Sequence, residues 1–164
     1  RDNPLAWHLI AESMRLALVD REAWLGDPAF TPVPTDGLLD PAYLAERSAL
    51  IRMDRAMPTV SAGLPPGAPR SPAPSPSAGG GTSAMVAADA AGNVVSLTST
   101  IESIFGSGLM AGGFFLNNEL TDFTFAPVKD GAPVANAPAA GKRPLSSMSP
   151  TIVYGPDGKV VLVP

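Results

Sequence analysis

Cysteine is absent from the 164 residues. That excludes disulfides, thiolate zinc sites and cysteine nucleophiles. Histidine is almost as scarce. His8 is the only one, so an imidazole-based transition-metal site is not expected. Charge is sparse as well: Asp, Glu, Lys and Arg together make 16%, with a formal net charge of −4. No basic stripe is available to meet phosphates, which argues against nucleic acid as a partner. No apolar run reaches the roughly 18 residues of a membrane span, and no signal-peptide pattern opens the chain. The sequence starts at Arg1 without methionine and stops at Pro164 inside a β-rich run. Both ends read as cut, and a longer protein is expected.

What is present is a globular share of hydrophobic residues, 45%, beside 19 prolines and 16 glycines. One core mixed with loop-rich stretches is expected. Asn3-Pro4 is a helix start, an N-cap residue followed by proline at the first helical position. The pattern predicts a helix over residues 5–25. Leu5, Leu9, Met14, Leu16 and Val19 line one broad face. Gly26 is the expected C-cap and Pro28 bars continuation. Residues 29–39 read as a loop. Asp40-Pro41 repeats the start signal and predicts a second helix over residues 41–53, with Leu44, Leu50 and Ile51 as its apolar positions. His8 is expected to be structural or solvent-facing.

Residues 57–81 are dominated by proline, glycine and serine. Such a stretch buries too little apolar surface to offset its ordering entropy, and it should be extended and mobile. From Thr82 the period changes to two. Strands are predicted over residues 83–89 and 93–100, joined by Ala90-Ala91-Gly92. Residues 101–113 should form a loop, and Phe114-Phe115-Leu116 a short buried strand. Residues 117–123 are dense in hydrogen-bonding groups. Residues 124–142 read as an Ala- and Pro-rich loop, and residues 151–154 and 159–163 as a last hairpin. Helices first and strands after give an α+β class. The organisation is a helical segment over residues 1–56, a linker over residues 57–81 and a β-rich segment over residues 82–164.

The junction Gly79-Gly80-Gly81-Thr82 leads from the linker into the first strand. A Gly-rich loop entering a strand is the plain reading. The functional reading is a self-cleaving chain. Were the Gly81-Thr82 bond to break, Thr82 would carry a free α-amine beside its own hydroxyl, a base and a nucleophile in one residue. Thr98 and Thr100 share a face of the second strand. Either is placed to hydrogen-bond the oxygen of Thr82 across the hairpin, although threonine is also common in strands. Glu102, Glu119 and Asp122 are solvated loop acids or, if they converge, a seat for an ammonium group or a hard cation; calcium and magnesium stay open on ligand type alone. Ser146 and Ser147, beside the basic pair Lys142-Arg143, can bind a carboxylate through hydroxyls and backbone amides. The alternative is a proline-bounded turn.

Taken together these motifs resemble the γ-glutamyltransferases (γ-glutamyl transpeptidases), among the N-terminal-nucleophile hydrolases. The resemblance rests on Thr82, on Asp89 with Gly92-Asn93, and on Thr98-Ser99-Thr100. It continues through Phe105-Gly106-Ser107-Gly108, Leu116-Asn117-Asn118-Glu119 with Asp122-Phe123, and Lys142-Arg143-Pro144-Leu145-Ser146-Ser147-Met148-Ser149-Pro150-Thr151. Asp20-Arg21 and Leu25-Gly26-Asp27-Pro28 look like the late portion of the family's large subunit. The resemblance implies a portion of a four-layer αββα sandwich. It also implies self-cleavage between Gly81 and Thr82 into a large and a small subunit that stay together.

By similarity, Thr82 is the nucleophile and Thr100 its hydrogen-bonding partner. Ser146 and Ser147 hold the α-carboxylate of a γ-glutamyl group, and Glu102, Glu119 and Asp122 its α-amino group. Glutathione-like donors and amino-acid or peptide acceptors are implied, with no cofactor and no metal, in a periplasmic or secreted protein. Ser83 departs from the family's second threonine, and Glu102 stands where many members have asparagine. The loop 124–142 looks shorter than the family's lid and lacks its tyrosine, so an open site admitting bulkier amides is expected. The family's oxyanion-hole glycines should follow Pro164, and its carboxylate-binding arginine belongs upstream. The segment alone is therefore expected to be inactive. The rivals are a cephalosporin or glutaryl acylase on the same scaffold and a non-catalytic relative that never matures.

Overall fold

The computed structural model describes residues 3–69 and 81–164. Gly79 and Gly80 of the junction lie outside the described residues. Helices and small antiparallel sheets make an α+β chain. The described residues fall into two units. One lies within Arg1–Ser77 and Phe123–Leu145, the other within Ala78–Asp122 and Ser146–Pro164.

In the first unit, α1 spans Pro4–Trp24 and α3 spans Pro41–Ser48. Both start where local chemistry sets them. The Asn3 carboxamide accepts the Leu5 amide, and the Asp40 carboxylate accepts those of Ala42 and Tyr43. Each side chain thereby satisfies amides the helix leaves open. Three expectations are corrected. α1 ends on Leu25, whose N–H reaches the Arg21 carbonyl, and Gly26 is not the cap. Gly26 serves close approach instead: a Cβ there would stand 2.5 Å from the Ala135 carbonyl oxygen. A one-turn helix, α2 (Thr35–Leu38), interrupts the expected loop. α3 stops at Ser48 rather than near residue 53.

The buried face of α1 matches the expected apolar stripe only in part, with Leu16 buried and Leu9 and Val19 half-buried. Leu5 and Met14 are exposed, while Glu12, Leu16, Asp20, Ala23 and Trp24 are buried. On α3, Tyr43 and Arg47 are buried and Leu44 is not. Two acids on α1 act as hubs. Asp20 accepts the Tyr43 hydroxyl (2.8 Å), Arg47 through Nε and Nη2 (3.1 and 3.0 Å) and the Gly63 amide (2.8 Å). Glu12 accepts Arg15 (2.7 Å) and the Met57 amide (2.8 Å). Burial, and then donation to Asp20, hold the Tyr43 hydroxyl above the ordinary phenol range. His8 meets the Arg52 carbonyl at 2.6 Å, a structural role.

Of the stretch 57–81 expected to be extended and mobile, residues 70–80 lie outside the described residues, and residues 57–69 have several anchors. Arg47 donates to the Ser61 carbonyl and Trp24 Nε1 to that of Gly63. Pro65 is fully buried. Replacing Asp20 by Ala is expected to destabilise the fold by about 3–5 kcal/mol, because Arg47 is left buried without its counter-charge. Tyr43→Phe removes one donor of several and should cost about 1 kcal/mol. Urea denaturation of both variants checks the order. An Asp20→Ala midpoint equal to the parent's would show that the hub contributes nothing to stability.

Residues 123–145 complete this unit. Within them β5 (Val128–Lys129) pairs with β6 (Ala132–Pro133), so the expected loop contains a short hairpin. Val134, Ala135, Asn136 and Ala137 are buried. Asn136 accepts the Leu145 amide, and Lys142 Nζ donates to the carbonyls of Ala135 and Ala137. Arg143 holds Asp27 through two parallel bonds, Nε at 3.1 Å and Nη2 at 2.9 Å. These bonds keep the Asp27 carboxyl well below the usual carboxylate range. With a depressed native pKa, the pair's contribution is whole above the ordinary carboxylate range and fades only as acid protonates Asp27.

The second unit is built of hairpins. β1 (Gly81–Ala88) pairs with β2 (Val94–Glu102), β3 (Met110–Ala111) with β4 (Phe114–Phe115), and β7 (Val153–Tyr154) with β8 (Val160–Leu162). Asp89 closes the first turn by accepting the amides of Ala91 and Asn93 and the Asn93 side chain. Gly92 takes φ 88°, a region that suits glycine. Phe114, Phe115 and Leu116 are exposed, not buried as the sequence pattern predicts. A two-residue strand on a two-stranded hairpin offers no second layer to cover them.

Candidate active site

The junction residue sits on a defect in the first hairpin. Pairing runs from Ala88 opposite Val94 to Ser83 opposite Ser99, then resumes with Gly81 opposite Glu102. Thr82 therefore faces two residues, Thr100 and Ile101. A bulge of this kind bends the strand and re-aims its side chains. The Thr100 hydroxyl donates to the Gly81 carbonyl at 2.7 Å and accepts the Glu102 amide at 2.7 Å. Thr98, opposite Ala84, lies deeper in the hairpin. The strand alternation expects a bond from Thr98 or Thr100 to the oxygen of Thr82. The bond formed goes instead to the carbonyl of the residue before it.

Directly after the bulge the chain turns sharply. Glu102 is buried and adopts φ 73°, the left-handed region that side-chain-bearing residues seldom occupy. Its carboxylate accepts the Ser103 hydroxyl at 2.8 Å and the Asn118 side-chain amide. The loop then leads through β3 and β4 to a 3₁₀ turn, Glu119–Asp122. The Asn117 side chain opens that turn by accepting the Glu119 amide.

Glu119 and Asp122 share a hydrogen bond, and Glu102 is near enough for its charge to act on Glu119. The Glu119 carboxyl is raised above its ordinary range by burial first, then by a hydrogen bond with Asp122, and by the charges of Asp122 and Glu102. Two carboxylates in hydrogen-bond contact need a shared proton or a cation between them. Among the described residues, no group of three or more His, Cys, Asp or Glu is placed to hold a metal ion. The arrangement is one that a small cationic head would relieve.

Ser146 and Ser147 belong to the same unit and are exposed. The Ser146 hydroxyl accepts the Met148 amide at 3.1 Å, a local turn. The basic pair next to them is committed elsewhere: Arg143 to Asp27, and Lys142 to two carbonyls. The side chains of that couple therefore serve the first unit. Asn118, which belongs to the Leu116-Asn117-Asn118-Glu119 stretch, is the residue to which sequence reasoning gives no role. Its only signal is its place in the Asn-Asn doublet before Glu119.

A family model described as gamma-glutamyltranspeptidase matches residues 1–164. The chain belongs to the gamma-glutamyltranspeptidase family. The glutathione hydrolase proenzyme of Bacillus subtilis strain 168 is 43% identical over 166 residues, covering 96% of this chain and 27% of the relative. An acylase ACY 1 proenzyme of Pseudomonas sp. strain SE83 is 39% identical over 147 residues, covering 88% and 24%. A solved gamma-glutamyltranspeptidase mutant from Helicobacter pylori is 47% identical, with a TM-score of 0.42 over 49% of this chain and 46% of that one. The chain spans about a quarter of the length of the curated relatives it matches. Among the described residues, no helix of this family member is long and apolar enough to cross a membrane.

Proposed function

We infer that this segment carries the nucleophile and head-group site of an enzyme that cleaves γ-glutamyl amides such as glutathione, after cutting its own chain between Gly81 and Thr82. The observation that carries the reading is the Thr100 hydroxyl on the Gly81 carbonyl, on a strand that ends at Glu102. Maturation begins when the Thr82 hydroxyl oxygen attacks the Gly81 carbonyl carbon. Charge builds on the carbonyl oxygen, where Thr100 already donates. The C–N bond breaks, the hydroxyl proton passes to the Thr82 nitrogen, and Gly81 is left as an ester on the Thr82 oxygen. Water hydrolyses that ester. A Gly81 carboxylate and a free Thr82 amine result.

In the mature enzyme the Thr82 amine takes the proton of its own hydroxyl, which attacks the γ-carbonyl of the substrate. A free α-amine titrates near pH 7.7–8.0, so much of it is neutral and able to act as base. The amine then protonates the departing nitrogen, and a γ-glutamyl ester remains on Thr82. Water or the amine of an amino acid or peptide takes the acyl group, giving ping-pong kinetics. Glu102, Glu119 and Asp122 receive the substrate's α-ammonium, and Ser146 and Ser147 its α-carboxylate. The fold is read as a portion of a four-layer αββα sandwich, assembled with the rest of a large and a small subunit. The protein is read as periplasmic or secreted. The relative named as an acylase keeps a glutaryl reading in view. The acid cluster weighs against it, because a glutaryl group has no ammonium to place among three carboxylates.

Glu119→Gln tests the head-group assignment with two readouts of opposite sign. KM for L-γ-glutamyl-p-nitroanilide should rise about tenfold or more, since a charged partner is lost. Thermal stability without substrate should rise at pH 7–8. A carboxyl whose native pKa is raised favours folding below the ordinary value, about 4.3, and loses that contribution as pH climbs through the native one. The stability gain should therefore vanish near pH 4. An unchanged KM removes the ammonium site.

A further inference from the structure

Asn118 bonds to segments on both sides of the acid cluster, and no step above uses it. Its side-chain amide donates to the Glu102 carboxylate, to the Ser103 hydroxyl (3.1 Å) and to the Thr121 hydroxyl (3.0 Å). Its side-chain oxygen accepts the Ser103 amide at 2.9 Å. Its own backbone N–H reaches the Ile101 carbonyl at 3.3 Å. Its carbonyl accepts both the amide and the hydroxyl of Thr121, at 2.9 and 2.8 Å. One residue is thus bonded on one side to Ile101, Glu102 and Ser103, and on the other to Thr121 inside the turn that bears Glu119 and Asp122.

Two features make such a brace necessary. Glu102 holds a backbone conformation that is unfavourable for it, so something nearby must over-determine it. The acids also repel one another, and like charges separate unless their backbones are held. We propose that Asn118 is a positioning residue that fixes Glu102 against the Glu119–Asp122 pair and so sets the site for an α-ammonium group. A donor is required there because Glu102 is an acceptor. Aspartate at 118 has the same shape but would face one carboxylate with another. The inference rests on the ammonium-site reading above.

The test is steady-state kinetics of the mature, full-length Asn118→Asp enzyme with L-γ-glutamyl-p-nitroanilide. KM should rise about tenfold to a hundredfold, with kcat within about threefold of the parent and a lowered thermal midpoint. In a Glu102→Gln background the same substitution should raise KM by less than about threefold, because coupled residues do not add. Asn118→Ser, which keeps a donor, should mature and show a smaller rise. An unchanged KM, a fall in kcat at constant KM, or full additivity with Glu102→Gln would each overturn the proposal. So would failure of both variants to mature, which would make Asn118 a folding residue only. The two readings fail separately. If Glu119→Gln leaves KM unchanged, the ammonium site itself is lost. If Glu119→Gln raises KM and Asn118→Asp does not, the brace alone is lost.

Discussion

In the whole protein, Thr82→Ala is expected to leave a single uncut chain on a denaturing gel and to abolish release of p-nitroaniline from L-γ-glutamyl-p-nitroanilide. The loss should be at least about 10⁵-fold, the scale on which removing a nucleophile disables an enzyme of this kind. Both effects trace to one atom. On the proposed mechanism the Thr82 oxygen would attack Gly81 in maturation and the substrate afterwards, and alanine offers nothing in its place. Thr82→Ser keeps that oxygen and should both cut and turn over, more slowly. The intact mass of the purified protein reads the first effect and the anilide assay the second. A Thr82→Ala chain that still separates between residues 81 and 82 would mean an external protease makes the cut. That outcome would leave the Gly81 geometry without a purpose.

Thr100→Val should slow chain cleavage by about 10²–10³-fold, the usual cost of losing one donor to a developing oxyanion. Valine matches threonine in shape and suits a strand, so the hairpin should survive. Thr100→Ser should restore most of the rate. The measurement is the fraction of intact chain against time by mass spectrometry, starting from freshly purified precursor. Cleavage of the valine variant at the parental rate would show that the 2.7 Å contact with the Gly81 carbonyl contributes nothing to maturation. The contact also explains why the bulge matters. In an unbroken register the second strand would have no extra residue opposite Thr82, and Thr100 would not hold its present place beside the junction.

What the sequence could reveal divides along a physical line. Signals carried by neighbouring residues were legible. Asn3 and Asp40 cap their helices with their own side chains, and Asp89 closes its turn within four residues. Signals that need a distant partner were not. Nothing local marks Glu12 and Asp20 as buried acids, and they are buried because Met57, Gly63, Tyr43 and Arg47 come to meet them. The apolar pattern on α1 therefore picked out Leu16 and missed the buried acids. The bulge shifts register by one residue, and no residue type announces it. Thr82, Thr100 and the acids were visible as a family pattern. Asn118 lies in the same pattern, within Leu116-Asn117-Asn118-Glu119, but the pattern gives it no role, because its importance lies in what it joins.

Asp27 lies upstream of residue 81 and Arg143 downstream of it, yet the two are joined inside the first unit. Gly26 stands against the Ala135 carbonyl across the same divide. A break at residue 81 would turn these internal contacts into contacts between two polypeptides, with no atom needing to move. The first unit would become a composite, one strip of it lent by the newly made chain. Separation of the pieces would then mean opening the interior of that unit, so the cut by itself would free neither of them.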